Sequence, residues 1–249
     1  MSTSNPRAME PSEVATLRKD WQTCLPQQLP DAFYAFDKHD QQSERLVTTF
    51  MDGKKLANFL NIAKQTKAAQ LIVYLGLDRT NLGEQIEDEP AFQLMVQVNG
   101  ANVGKNENCF LMEWEPNPLF PTNPYHPITS GPDAIPSAAA YLFVLSWLET
   151  PYEELGDVFE SSATLLGKRA KSYNFSLEES QDIFEALGDG KSTRLSIHLG
   201  KGLTVHQHPI PFRPIVEAGP ETDVKMRNME DGGNSFFDFS NVCPPYCNP

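Results

Sequence analysis

The sequence predicts an α+β fold: a mainly antiparallel sheet of about five strands, with helices on one face and a helical insertion. Two observations support this prediction. Strand-like segments occur on both sides of residues 133–190, a block in which apolar residues recur at helical spacing. Short polar links join the early strand-like segments, which favours antiparallel pairing. We therefore expect a disordered N-terminus over 1–12 and a single domain over 13–249, with the helical block interrupting the sheet.

Two amphipathic helices are expected in the first quarter of the chain. The first begins with Ser12 as its expected N-cap and the second with Asp52. Both show apolar residues at spacings of three and four, which is typical of a helix with one buried face. The apolar stripe of the first helix is Val14, Leu17, Trp21 and Leu25. In the second helix Leu56, Phe59, Leu60 and Ala63 mark the apolar face, and Lys54, Lys55, Asn58, Asn61 and Lys64 mark the solvent face.

The clearest strand in the sequence is residues 69–77, Ala-Gln-Leu-Ile-Val-Tyr-Leu-Gly-Leu. Its nearly continuous hydrophobicity, with β-branched and aromatic residues, predicts a position in the centre of a sheet. Residues 45–51 fit either a strand or the approach to a helix. Further strands are expected over 92–98, 109–115, 193–199 and 212–216.

The middle of the chain changes from proline-rich to helical. Seven prolines between residues 116 and 136 exclude regular structure there and predict an extended strap. Residues 137–149 are apolar on all sides, which predicts a buried helix, and Pro151 is expected to begin another. Ser176-Leu177-Glu178-Glu179 matches a capping box, so a third helix is expected to begin near Ser176.

Net charge limits the classes of partner. The chain has 33 acidic and 20 basic residues, a formal net charge of -13, which disfavours binding to nucleic acids and to anionic membranes. The helical block over 133–190 holds ten acidic residues between Glu149 and Asp189 against three basic residues, and this acidic helical block is a candidate surface for a basic protein partner. The most apolar stretch, 138–148, is too short to span a bilayer, and the expected location is the cytoplasm.

A metal site is the most specific chemistry that the sequence indicates. His206 and His208 are two residues apart, a spacing that places both imidazoles on one side of a strand. Cys243 and Cys247 form a second pair near the C-terminus. Two thiolates and two imidazoles are a standard tetrahedral zinc set, so these four residues are the candidate zinc ligands. The alternative is that the histidines are surface groups and the cysteines are small buried apolar residues.

Other chemistries have weaker support in the sequence. Cys243 and Cys247 differ from a C-x-x-C redox motif, and no nucleophile elbow, H-E-x-x-H or phosphate-binding loop motif is present. Glu113 and Glu115 share one face of a strand and could act as an acid–base pair. Alternation alone explains them as the solvent side of an edge strand, with Trp114 facing inward, and this interpretation is favoured.

Three stretches of the sequence carry a family resemblance. They are Ala-Gln-Leu-Ile-Val-Tyr-Leu-Gly-Leu-Asp (69–78), Leu-Met-Val-Gln-Val-Asn-Gly (94–100) and the terminal Phe-Asp-Phe-Ser-Asn-Val-Cys-Pro-Pro-Tyr-Cys (237–247). Over residues 10–115 and 235–249 the chain resembles a set of uncharacterised bacterial proteins with a helix–strand–strand core and a C-terminal Cys-Pro-Pro-x-Cys tail. The resemblance implies that the tail belongs to the fold, and it implies no catalytic or binding residue.

The functional prediction is a non-enzymatic protein-interaction or scaffold-type module. It depends on the acidic helical block, on the proline strap as a means of presenting a surface, and on the lack of a recognised catalytic motif. The alternative is a zinc protein, with hydrolysis as the activity, that uses the His206/His208 and Cys243/Cys247 pairs. A third class is a small-molecule binder that uses an aromatic-rich face of the sheet.

Overall fold

The computed structural model describes residues 8–37, 42–82, 90–101, 103–104, 106–115, 137–160, 169–188, 194–202, 211–219, 235–237 and 241–243. The helices are α1 (Pro11–Thr23), α2 (Leu29–Ala32), α3 (Gly53–Gln65), α4 (Ser137–Leu148) and α5 (Leu177–Gly188), with 3-10 turns at Pro26–Gln28, Tyr152–Glu154 and Asp157–Phe159. The strands of the first half are β1 (Tyr34–Asp37), β2 (Gln42–Arg45), β3 (Thr48–Asp52), β4 (Gln70–Leu77), β5 (Phe92–Asn99), β6 (Cys109–Leu111) and β7 (Glu113–Trp114). Those of the second half are β8 (Ser172–Asn174), β9 (Arg194–Lys201), β10 (Phe212–Gly219), β11 (Ser235–Phe237) and β12 (Asn241–Cys243).

Two antiparallel sheets of five strands each form the framework. One, here called the β9 sheet, has the order β11-β10-β9-β3-β7, and the other, the β4 sheet, has the order β12-β8-β4-β5-β6. The hairpin of β1 and β2 is separate from both sheets. The chain is therefore α+β with antiparallel pairing, as the sequence predicts, but its strands are divided between two sheets.

The main hydrophobic core lies between the two sheets. Alternate residues of β4, β5, β9 and β10 enter this core, and α3 and α5 add their apolar faces to it. Aromatic rings join the two sheets directly: the ring centroid of Tyr173 on β8 is 5.4 Å from that of Phe212 on β10. Phe33, Phe159 and the two buried tryptophans Trp21 and Trp147 continue this cluster with edge-on and stacked contacts. Aromatic burial on this scale makes the inter-sheet contact the principal source of stability.

A helix covers the outer face of each sheet. Helix α1 packs on the β4 sheet, where Val14 contacts a cluster that contains Ile72, Tyr74, Met95 and Cys109. Helix α4 packs on the β9 sheet, where Ala140 and Val144 contact Val47 and Ile215. The layers are thus α1, the β4 sheet, the core, the β9 sheet and α4. Because both faces of β4 are covered, its sequence is hydrophobic almost without interruption.

Several predicted elements are confirmed. Strand β4 occupies the centre of its sheet. The capping box at the start of α5 is formed: the backbone N–H of Glu179 donates to Ser176 Oγ at 3.1 Å, and the N–H of Ser176 donates to Glu179 Oε2 at 2.6 Å. Leu56, Phe59 and Ala63 are buried on α3. These features follow from local spacing, which is why the sequence predicts them.

Three sequence predictions about helices are wrong. Helix α1 ends at Thr23, so Leu25 lies beyond it and is exposed instead of completing the apolar stripe. Residues after Pro151 form two 3-10 turns, not an α-helix. The predicted helical block also contains a strand, β8, which pairs with β4 in the β4 sheet.

Ordered structure begins before residue 12, because the N–H of Met9 donates to the carbonyl of Cys109 at 2.7 Å.

The strand predicted over 109–115 is two strands in different sheets. Strand β6 pairs with β5, and β7 pairs with β3. Met112 lies between them, and its N–H still donates to Leu94 of the β4 sheet at 2.9 Å. The N–H of Glu115 donates to Thr48 of the β9 sheet at 3.0 Å. Alternation predicts an extended chain but not its partner, so the change of sheet has no signal in the local sequence.

Among the helices of the described ranges, we find none that combines the length and the hydrophobicity required to cross a bilayer. The proline strap over 116–136 lies outside the described residues.

Candidate functional site

The structure describes only one of the four predicted zinc ligands. His206, His208 and Cys247 lie outside the described residues, and Cys243 is the last residue of β12. The histidine pair belongs to the connection between β9 and β10, whereas Cys243 pairs with Ser172 in the β4 sheet. Within the described ranges, no three side chains of His, Cys, Asp or Glu converge as metal ligands would. The zinc set stays a prediction.

Two other cysteines are buried free thiols. Burial raises the pKa of the Cys109 thiol to about 12, and Cys109 lies under α1 on the outer face of the β4 sheet. Burial also raises the pKa of Cys24, which follows α1. A thiol with a raised pKa carries little of the reactive thiolate at neutral pH, so neither residue has the character of a nucleophile.

Glu113 and Glu115 lie on edge strand β7 or directly after it, but each has its own basic partner. Lys55 Nζ lies 2.7 Å from Glu113 Oε1 and also donates to the carbonyl of Leu111. Arg194 pairs with Glu115. Lys55 was expected on the solvent face of α3, yet it is only 7% exposed, because β6 and β7 pass over that side of the helix. Two carboxylates with separate cationic partners do not form an acid–base pair.

The acidic side chains of the predicted helical block lie in different environments. Glu179 is buried in the capping box, and Glu160 pairs with Arg169 at 3.1 Å. The other described acids of the block form two groups at the surface. On α5, Glu178 and Glu185 are exposed; after α4, Glu149, Glu153, Glu154 and Asp157 are exposed.

The second group lies close in sequence to two exposed apolar side chains. Leu148 at the end of α4 and Tyr152 in the following 3-10 turn are each 44% exposed. The Tyr152 hydroxyl donates to Asp31 of α2, and its ring centroid is 6.1 Å from that of Tyr34. We define the Tyr152 surface as Asp31, Leu148, Glu149, Tyr152 and Glu153. It combines two large apolar groups with three acids.

Two acidic side chains act on the Tyr152 hydroxyl. The pKa of Tyr152 is raised to about 12, first by its hydrogen bond to Asp31 and then by burial and by the nearby charge of Asp31. Glu153 contributes in the same direction. A field that disfavours the phenolate favours a cation at the same place.

A partly exposed arginine, Arg45, makes the base of this surface rigid. Arg45 Nη1 donates to the carbonyls of Trp147, Leu148 and Thr150 at 2.8, 2.9 and 2.8 Å. Its Nη2 donates to the Tyr34 hydroxyl at 2.8 Å. The guanidinium thus satisfies carbonyls that the C-terminus of α4 leaves without intrahelical partners. Leu148 and Tyr152 are consequently held on a fixed backbone.

A second polar cluster lies on the outer face of the β9 sheet, under α4. The imidazole of His198 connects two neighbouring strands: Nδ1 lies 2.9 Å from Thr48 Oγ1 on β3, and Nε2 lies 2.7 Å from Glu217 Oε2 on β10. All three side chains are buried. A hydroxyl, an imidazole and a carboxylate in series could pass a proton, but burial keeps them away from bulk solvent.

The sequence contains a signal for this cluster. Residues 194–201 alternate Arg-Leu-Ser-Ile-His-Leu-Gly-Lys, so Ser196, His198 and Gly200 share one face of β9. Alternation of this kind normally indicates a face exposed to water. The tertiary structure instead covers it with α4, and Ser196 and His198 are buried.

No protein-family model matches the chain, and no curated protein or solved structure shows significant similarity to it. The functional argument therefore depends on the geometry of these residues.

Proposed function

We propose that the protein is a non-enzymatic interaction module and that the Tyr152 surface binds a basic segment of a partner protein. The main evidence is that Leu148 and Tyr152 are each 44% exposed and lie close in sequence to exposed carboxylates. Exposed large apolar groups with a polar rim are typical of protein-binding sites.

The chemistry of the surface favours one class of partner. Glu149 and Glu153 are exposed, and the raised pKa of Tyr152 indicates a negative potential at its hydroxyl. A partner segment with Lys or Arg beside an apolar residue would pair its charges with these acids and place the apolar residue against Leu148 and Tyr152. The formal net charge of -13 would also accelerate the encounter with a cationic segment at low salt.

The preorganised backbone adds to this argument. Three carbonyls bound by Arg45 hold the end of α4, and Asp31 fixes the Tyr152 ring. Rigid aromatic anchors lose little conformational entropy on binding, so they contribute more of their contact energy to affinity.

The test uses a synthetic peptide with lysine and leucine at helical spacing as the probe, and fluorescence anisotropy as the measurement. We expect saturable binding to the full-length protein that weakens as salt rises. The double variant Leu148→Ala/Tyr152→Ala should weaken binding by about tenfold or more, because it removes both apolar anchors. Glu149→Lys/Glu153→Lys should weaken it to a similar degree through charge repulsion.

The matched control is Glu178→Lys/Glu185→Lys on α5, which changes net charge by the same amount at exposed positions elsewhere. Affinity for the peptide should change by less than about twofold, apart from the general effect of net charge at low salt. Equal losses in both charge-reversal variants at physiological salt would reduce the interaction to nonspecific attraction and overturn the assignment of the Tyr152 surface. A glutamate–leucine peptide that binds as well would do the same.

One observation supports zinc binding as the alternative function. Phe212 directly follows the connection that contains His206 and His208, and its ring is 5.4 Å from Tyr173 on β8. Strand β8 also pairs with β12, which ends at Cys243. Strand β10, which follows the histidine pair in the sequence, therefore contacts the strand beside β12 through these two rings.

Elemental mass spectrometry of the untagged protein tests this alternative. About one zinc per chain, lost in Cys243→Ser and retained in Cys24→Ser, is the result expected for a four-ligand site. Metal content at background level would remove the zinc hypothesis without affecting the peptide-binding proposal.

A further inference from the structure

Helix α4 has a second apolar face, on the side that points away from the β9 sheet. None of the 12 residues of Ser137–Leu148 is charged. On the inner side, Ala140 and Val144 contact the β9 sheet and Trp147 is buried. At about 3.6 residues per turn, the large apolar residues of the opposite side are Tyr141, Leu142, Leu145 and Leu148. We call these four residues the α4 outer face.

Two leucines of the α4 outer face are open to solvent. Leu142 is 45% exposed and Leu148 is 44% exposed. A helix that is apolar on all sides is normally covered on all sides, yet in the part of the chain that the structure describes the β9 sheet covers only one side of α4. Helix α1 covers the other sheet and differs, because its exposed residues include Glu13, Lys19 and Gln22. The α4 outer face thus has the composition of a buried surface.

The charged residues next to this face lie at one end of it. Glu149 directly follows α4, and Glu153 lies in the next 3-10 turn; both are exposed. The helix itself has no charge over its whole length. An uncharged apolar face that ends in carboxylates complements a segment with apolar residues along its length and basic residues at one end.

We propose that the partner segment of the Tyr152 surface is an amphipathic helix that lies along the α4 outer face, with its basic residues gathered at the end that meets Glu149 and Glu153. This inference rests on the proposed function and specifies the shape and charge pattern of the partner. Apolar residues at spacings of three and four would pack against Leu142 and Leu148. A second copy of the chain fits less well, because each copy has a formal net charge of -13 and the same exposed carboxylates.

Peptides of identical composition test the charge pattern. Each has about 14 residues, close to the length of α4, with blocked termini and leucines at helical spacing. In the clustered peptide, made in both directions, the lysines are gathered at one end; in the distributed peptide they are spread along the polar side. By fluorescence anisotropy with the full-length protein, we expect one clustered peptide to bind about threefold or more tightly than the distributed peptide, as for one or two exposed ion pairs.

Leu142→Ala separates this inference from the proposed function, since Leu142 lies outside the Tyr152 surface. We expect it to weaken binding of the clustered peptide by about fivefold through loss of apolar contact. The salt dependence of binding should not change, because the carboxylates remain. Urea unfolding should match that of the wild type, since Leu142 is exposed. The matched control is Leu177→Ala, at a leucine 39% exposed at the start of α5, and it should leave affinity unchanged.

Three results would overturn the inference. If Leu142→Ala binds like the wild type while Leu148→Ala/Tyr152→Ala is weakened, the partner does not lie along α4, and the proposed function stands. Equal affinity of the clustered and distributed peptides would exclude a basic end that meets Glu149 and Glu153. Sedimentation of the protein alone gives the third result: a concentration-dependent dimer that Leu142→Lys abolishes would assign the α4 outer face to a second copy of the chain.

Discussion

The outer faces of the two sheets are both covered by a helix but differ in the kind of polar group that they bury. Under α1, the β4 sheet presents an apolar cluster and three buried neutral polar side chains: Ile72, Tyr74, Met95 and Cys109, with Gln97, Ser172 and Asn174. Under α4, the β9 sheet presents five buried polar side chains: Thr48, Ser196, His198, Arg213 and Glu217. Burial of polar groups costs free energy unless each finds a partner.

The polar groups of the two faces also differ in their hydrogen-bond partners. Near α1, the Tyr74 hydroxyl donates to Gln97 Oε1 at 2.8 Å, and Gln97 Nε2 donates to the Glu107 carbonyl at 2.6 Å. Arg18 lies over the Tyr74 ring, 3.9 Å from its centroid, and donates to Asn106. Near α4, His198 connects two strands through Thr48 and Glu217. The strands of the β4 sheet thus bury amide and hydroxyl groups on this face, whereas the β9 sheet buries an imidazole–carboxylate pair.

The largest expected effect comes from breaking the buried pair of the β9 sheet. His198→Leu leaves the Glu217 carboxylate without its imidazole partner, and we expect it to lower the free energy of unfolding by about 3–5 kcal/mol. Urea unfolding measures this loss. The double variant His198→Leu/Glu217→Leu should recover much of it, because it also removes the carboxylate that the single variant leaves without its imidazole partner. A loss below about 1 kcal/mol in the single variant would mean that the pair is not important for stability.

A pair of volume-conserving substitutions, one on each sheet, compares the energetic importance of the two outer faces. Met95→Leu on the β4 sheet should cost less than about 1.5 kcal/mol, since it conserves volume in an apolar cluster. Thr48→Val on the β9 sheet also nearly conserves volume but removes the hydroxyl beside His198 Nδ1, and should cost about 1–3 kcal/mol. Urea unfolding of both variants compares the two faces directly. Equal costs would show that the chemical difference between the faces has no energetic consequence.

The smallest effect is a pH dependence on the β4 sheet. The pKa of Cys109 is raised by burial to about 12, so at high pH the unfolded state loses the thiol proton first. Stability from this thiol is complete below its unfolded pKa and is lost as pH rises toward 12, with a slope of at most about 1.4 kcal/mol per pH unit. Cys109→Ala should lose stability less steeply than the wild type between pH 9.5 and 11 in urea unfolding, a window chosen as roughly between those pKa values. Parallel slopes would contradict the raised pKa.

Predictability from sequence also differs between the regions. Strand β4, the capping box of α5 and the apolar face of α3 are encoded by spacing within a few residues, and the sequence predicts them. Counting charges identifies the acidic block but not the different positions of its acids: Glu179 caps a helix, while Glu149 and Glu153 are exposed. The signal at β9 was visible as alternation, yet alternation predicts a solvent face and not a covered one.

By itself, the sequence determined the α+β class, the positions of the longer strands and the sign of the surface charge, because each depends on composition or local periodicity. Only the tertiary structure decided that the strands form two sheets, that Lys55 is buried beside Glu113, and that His198 meets Thr48 across 150 residues of chain. Contacts between residues so distant in sequence depend on how whole elements pack. No local pattern encodes that packing, so the buried polar outer face of the β9 sheet emerges only in the folded chain.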